Sequence, residues 1–162
     1  MLTRSTMSKA SPSWPDLAGR IDGNRHILPV RVYFEDTDFS GLVYHASYVR
    51  FCERGRSDYV RLLGIHHSDL AAPGGDQEPA TFVVRSISVD FLKPARIDDI
   101  LEVITECIEI GGATLTLHQE IWLGTVCLIK ADVRVVLISQ SGKPLRLGDK
   151  VRAAFERSKT PH

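Results

Sequence analysis

The sequence is poor in several features that would narrow its function at once. It carries only three cysteines and two methionines in 162 residues. Cys52, Cys107 and Cys127 are odd in number and lie inside apolar stretches without close pairing, which argues against a disulfide framework and for buried thiols in a reducing compartment. No apolar run approaches the roughly 20 residues that span a bilayer, because Glu, Lys, Arg or Asp interrupts each candidate, so no membrane insertion is expected. An excess of one charge is missing too: 20 Lys and Arg balance 20 Asp and Glu. No global field then favours nucleic acid, an anionic membrane or a basic partner, and any phosphate recognition must be local. The chain contains no Gly-x-Ser-x-Gly nucleophile elbow, P-loop, dinucleotide-binding glycine fingerprint or His-Glu-x-x-His zinc helix, which disfavours a serine hydrolase. His66 and His67, with Asp69, are the nearest approach to a metal set, but adjacent histidines point in different directions, so no metal is expected.

What is present reads as one soluble domain, with 43% hydrophobic and 25% charged residues. The opening is rich in Ser, Thr and Pro and lacks the apolar core of a signal peptide, so residues 1–26 are expected to form a flexible tail of a cytoplasmic protein, with 27–157 as the domain and 158–162 as a C-terminal tail. Residues 27–34 mix β-branched and aromatic side chains and predict a strand running into the acidic segment 35–38. Over 46–63, Tyr48, Cys52, Tyr59, Leu62 and Leu63 recur at helical spacing while Arg and Glu take the other faces, and Gly64 supplies a stop. Gly55 falls on the apolar stripe, where it permits close approach of another backbone. After a Pro- and Gly-marked loop at 71–79, strands alternate with turns at Pro94, Gly111-Gly112 and Gly124. Leu115, Leu117, Ile121 and Leu123 share one parity, as do Cys127, Ile129, Ala131, Val133, Val135 and Leu137. A short helix is expected over 148–157. The order predicts an α+β fold in which one long helix covers a face of an antiparallel sheet of about five strands.

The densest chemistry is Tyr33-Phe34-Glu35-Asp36-Thr37-Asp38-Phe39-Ser40-Gly41-Leu42-Val43-Tyr44-His45, where the first strand gives way to the helix. A helix N-terminus carries unpaired N–H groups and partial positive charge, so a carbonyl oxygen becoming negative near His45 would be stabilised there. Asp38 would attack such a carbonyl or activate water, and His45 would orient the substrate or handle a proton. The same acids before a helix are also what capping and Asx-turns look like, and the residues alone leave both readings open.

Within this cluster Tyr33-Phe34-Glu35-Asp36-Thr37-Asp38 and Gly41-Leu42-Val43-Tyr44-His45, together with Tyr48, Phe51-Cys52-Glu53-Arg54, Phe82-Val83-Val84-Arg85, Phe91-Leu92-Lys93-Pro94-Ala95-Arg96 and Asp98-Asp99, resemble the signature of the Tol-Pal-associated acyl-CoA thioesterases. These belong to the 4-hydroxybenzoyl-CoA thioesterase group of hotdog proteins. The resemblance implies a long central helix wrapped by a curved antiparallel sheet, and homodimers with active sites between subunits, commonly paired into homotetramers. It implies hydrolysis of an acyl-CoA without a cofactor. Asp38 matches the catalytic aspartate, His45 its partner seven residues on, and Asp36 a first acid of mainly structural role. Tyr33, Gly41, Val43, Tyr44 and Tyr48 fall in the matched substrate-binding segment. Phe34 and Gly55 stand where many relatives have Tyr and Ala. Arg85, Lys93 and Arg96 are candidates for the phosphates of CoA, or else solubilising charges beside a turn. The alternatives are an acyl-thioester hydratase or dehydratase, which would also pair an acid with a His, and a non-catalytic acyl-CoA-binding or envelope-associated protein.

Overall fold

A computed structural model describes residues 17–159. The chain forms β1 (Arg20–Asp22), β2 (Arg25–Arg31), a single 3-10 turn (Phe34–Asp36), α1 (His45–Leu62), α2 (His67–Ala71), β3 (Ala80–Phe91), β4 (Ile100–Ile110), β5 (Thr114–Leu123), β6 (Val126–Ser139) and α3 (Asp149–Ser158). The strands make one antiparallel sheet in the order β1-β2-β4-β5-β6-β3. Both ends of α1 lie within one residue of the sequence expectation, and α3 ends one residue later than expected. Among the described residues, no helix is long and apolar enough to cross a membrane.

Alternation along the strands decides which face meets the helix. On β5, Leu115, Leu117, Gln119 and Ile121 are buried, while Thr116, His118 and Glu120 face outward with partial exposure. The N-terminal half of α1 sets Tyr48, Phe51 and Cys52 against Leu28, Val30, Leu101, Val103, Ile121 and Ile129. Its C-terminal half sets Tyr59 and Val60 against Leu117 and Val133, and α3 closes this second cluster with Val151 and Phe155. Each such aliphatic or aromatic side chain contributes about 1.5–3 kcal/mol when fully buried.

Gly55 is where α1 comes nearest the sheet. A Cβ there would lie 2.8 Å from Val103 Cγ1 and 3.1 Å from Thr105 Oγ1. Gln119, polar on an otherwise apolar parity, is accommodated by using its capacity fully. Its amide donates to Cys52 O (2.9 Å) and Thr105 Oγ1 (2.8 Å), and its oxygen accepts from Arg56 (3.0 Å).

The sheet has six strands rather than about five, because residues 20–22, expected in the tail, pair with β2 through a two-residue Gly23-Asn24 hairpin, with Gly23 at φ +63°. That hairpin is tied to α1 through Asp58, which accepts from Gly19 N–H (2.8 Å) and from the fully buried His26 Nε2 (2.6 Å). A carboxylate partner requires the proton on Nε2, so Nδ1 is left buried with no partner among the described residues, and burial holds the His26 pKa below its ordinary value. Asp58 also pairs with Arg61, while Arg54, four residues before Asp58 on the same helix, lies over the Phe51 ring at 5.9 Å. The first 16 residues, most of the expected tail, lie outside the described residues, as do the last three.

Candidate active site

The junction between β2 and α1 is built by Asp36. Its side chain is 2% exposed and accepts the Tyr33 N–H at 2.8 Å, while its backbone oxygen accepts the Tyr44 N–H (2.9 Å) and the Ser47 hydroxyl (3.0 Å). These bonds fasten the turn to the first residues of α1. A tight loop follows, in which Asp38 N–H donates to Leu42 O (2.9 Å) and Gly41 N–H to Asp38 O (3.0 Å). Gly41 takes φ +80°, a left-handed conformation that side chains resist. The loop brings Asp38 back beside the start of the helix.

Asp38 itself is exposed, and its bonds fall on one oxygen. Oδ1 accepts the Ser40 hydroxyl at 2.5 Å and the Ser40 N–H at 2.8 Å. Among the described residues nothing bonds Oδ2. The Ser40 hydroxyl, then the Ser40 N–H, with a smaller contribution from His45, hold the Asp38 carboxyl below the usual carboxylate range. The helix that follows has no side-chain cap: Tyr44, at φ −63° and ψ 134°, makes no capping bond. The His45 N–H, first in α1, meets no acceptor among the described residues. An uncapped helix start with a free N–H is an electropositive point for a carbonyl oxygen.

Asp38, Val43, His45, Tyr48 and Lys93 line one open groove of about 330 Å³. The segment after β3 supplies its far wall through Phe91, Leu92 and Pro94. That segment is pinned to the helix by two bonds at Ala95: Val43 N–H to Ala95 O (2.9 Å) and Ala95 N–H to the Tyr48 hydroxyl (2.9 Å). The His45 ring sits between Tyr44, at 4.5 Å between centroids, and the edge of Phe91, at 6.1 Å.

The remaining sequence candidates lie elsewhere. Tyr33 and Tyr44 are exposed beside the turn without lining the groove, and Gly41 acts on it through its backbone conformation. Arg85 is exposed at the β3 bulge between Val84 and Ser86, while Arg96 is exposed with its N–H on Asp99 Oδ2 (2.8 Å). Lys93 is thus the one candidate cation that borders the groove within this chain. Ser40 carries no signal of its own in the sequence, since its role depends on loop closure. Phe91 and Leu92 stand out there only through the motif resemblance, although an apolar pair at a strand end beside a Pro is itself a signal for a groove wall.

Comparison with known proteins places the chain in a family. A profile of the thioesterase superfamily matches residues 40–128. The acyl-CoA thioesterase YbgC of Haemophilus influenzae is 39% identical over 137 residues, covering 84% of this chain and 98% of the relative. The acyl-CoA thioester hydrolase YbgC of Escherichia coli is 41% identical over 130 residues, covering 79% and 93%. Among solved structures, a probable thioesterase from Bartonella henselae superposes with a TM-score of 0.73 at 43% identity, over 76% of this chain and 99% of that one. With the long helix against an antiparallel sheet and the groove at the helix start, these matches show that the chain is a hotdog-fold member of the thioesterase superfamily.

Proposed function

We propose that this chain hydrolyses acyl-CoA thioesters to a free carboxylic acid and CoA. The observation that carries the reading is the pairing, at one groove, of a carboxylate with an open oxygen and a helix-terminal N–H with no acceptor. In this reading the thioester carbonyl oxygen points at the His45 N–H, which stabilises the negative charge that develops as the carbon becomes tetrahedral. Asp38 Oδ2 either attacks that carbon, giving an anhydride that water opens, or takes a proton from the attacking water. In both routes the C–S bond breaks and CoA leaves as thiolate, which is then protonated. The His45 ring, held between Tyr44 and Phe91, orients the thioester or supplies that proton. No metal or redox cofactor enters this route.

Lys93 borders the groove and is the first candidate for a CoA phosphate. Arg85 and Arg96 would join it only from a second subunit, which fits the assembly we propose: a homodimer, with dimers pairing into a tetramer. Its support is β3, which bonds β6 on one side only and leaves a 12-residue edge open with Val84, Ile87 and Phe91 exposed. The narrower placement among Tol-Pal-associated enzymes rests on the motif resemblance. A cytoplasmic location is motivated by three free cysteines, Cys52, Cys107 and Cys127.

Asp38→Asn tests the reading. Thiol release from an acyl-CoA panel is expected to fall by about a thousandfold, with melting temperature and sedimentation unchanged because the side chain is exposed. Full turnover in this variant would reject the assigned role.

A further inference from the structure

Arg56 is a buried charge that the proposed reaction does not use. It is 9% exposed, and its one hydrogen bond among the described residues runs to Gln119 Oε1 at 3.0 Å. No carboxylate of the described residues forms an ion pair with it. A guanidinium has five N–H donors, and a buried cation is costly unless an anion meets it. Gln119 offers Arg56 only its Oε1, since its amide nitrogen is a donor committed to Cys52 and Thr105, and a neutral oxygen does not balance the charge. Burial is the largest influence on Arg56 and pulls its pKa down from its ordinary value, against smaller opposing pulls from Cys52 and from Glu53 of its own helix, which does not reach ion-pair distance.

The group borders a cavity of about 200 Å³ whose walls include Glu53, Val60, Phe82 and Val84. Glu53 is the only acid on that wall, and it is exposed. The cavity therefore holds one buried cation and, one helical turn away, one solvated anion. It lies between α1 and β3, the strand whose outer edge is unpaired.

We propose that Arg56 takes its counter-ion from a second copy of this chain, pairing with Glu53 of the partner subunit. The inference rests on the dimer reading above and names the contact that closes it. A two-fold axis beside an edge strand makes an isologous contact, in which residue i meets j of the other copy and j meets i. The middle of β3 falls between Arg85 and Ser86, and the middle of α1 between Glu53 and Arg54. The cavity places residues 53–57 alongside Phe82–Val84, next to that midpoint. An axis one residue further along α1, between Arg54 and Gly55, sets the two α1 helices antiparallel with Glu53 and Arg56 facing each other twice. Apolar Val84 and Ile87 beside them would exclude water from both pairs.

Sedimentation velocity over a dilution series tests the pair in the full chain, using the wild type, Glu53→Gln, Glu53→Arg, Arg56→Glu and the double reversal. The wild type is expected to dimerise. Glu53→Gln, at an exposed position that the monomer's fold does not need, should raise the dimer dissociation constant about tenfold or more. Each reversal should raise it about a hundredfold or more, and the double reversal should recover most of the loss. A Glu53→Gln dimer as tight as wild type overturns the pair, because Glu53 then serves its own helix or nothing. So does a folded double reversal no tighter than the single variants. Unchanged dimers combined with loss of turnover only on acyl-CoAs bearing a second carboxylate would assign Arg56 to the ligand and also overturn it. A wild type that stays monomeric at all concentrations rejects the dimer reading itself.

Discussion

Asp36 and Asp38 stand two residues apart in the same acidic run, and the fold gives them opposite tasks. Asp36 is buried, with Oδ2 accepting the Tyr33 N–H and its backbone oxygen fastened to the start of α1, whereas Asp38 is exposed and bonds only within its own loop. From the residues alone both fit a cap; what separates them is loop closure around Gly41, which depends on Ala95 and Tyr48 arriving from distant parts of the chain. Ser40 completes the distinction by loading Oδ1 and leaving Oδ2 unbonded among the described residues. Ser40→Ala removes the hydroxyl, the largest influence holding the Asp38 pKa down, and keeps the N–H bond. A carboxylate that must be ionised loses activity as pH falls through its pKa. Raising that pKa moves the acid limb of kcat/KM to higher pH, with the limb restored in Ser40→Thr. A kcat loss of roughly tenfold or less is expected at neutral pH, since the carboxylate stays in place. An acid limb at the same pH in both proteins would show that Ser40 does not tune Asp38.

At the scale of elements, α1 is the member on which both the site and the core depend, and Gly55 sets its distance from the sheet. Gly55→Ala adds a Cβ 2.8 Å from Val103 Cγ1, on a central strand held on both sides and unable to give way. Overpacking of this kind costs about 1–3 kcal/mol, against up to about 1 kcal/mol gained from the helix preference of Ala. Urea denaturation should therefore show a net loss of roughly 1–2 kcal/mol; a more stable variant would contradict the close approach. This helix was legible in the sequence because its apolar stripe, its glycine stop and the flexible residue on the stripe all agree with one period. The alternating parities of β5 and β6 were legible for the same reason. Gln119 was not, since an amide on an apolar parity looks like a break in the pattern until its three partners are known. Nor was the pairing of Asp58: an i,i+4 rule favours Arg54, but the buried His26 and the N–H of Gly19 converge from another element and Arg61 reaches the same carboxylate.

At the scale of the whole molecule, the sheet order was beyond the reach of periodicity. β3 follows α1 in the chain but sits at the edge opposite β1, because α1 crosses the sheet face and delivers the chain to the far side. That crossing leaves a long edge with apolar side chains on the helix face and only Arg85 and Asp90 as charges along it. Edge strands of soluble proteins are ordinarily blunted by charge or Pro, kept short, or covered, and β3, blunted only by its bulge and those two charges, is long and uncovered in the single chain. Ile87, 38% exposed near the strand's middle, is where a charge tests whether a second copy covers it. Ile87→Lys places an ammonium in the proposed contact while leaving the monomer's core intact, because the side chain is not buried there. The expected result is a folded monomer by sedimentation, with the wild-type far-ultraviolet dichroism and at least about a tenfold loss of thiol release, since the groove at Asp38 would lose whatever the second subunit contributes. A monomer of undiminished activity would separate assembly from catalysis and confine the active site to one chain. A dimer of undiminished stability would move the interface away from β3 altogether.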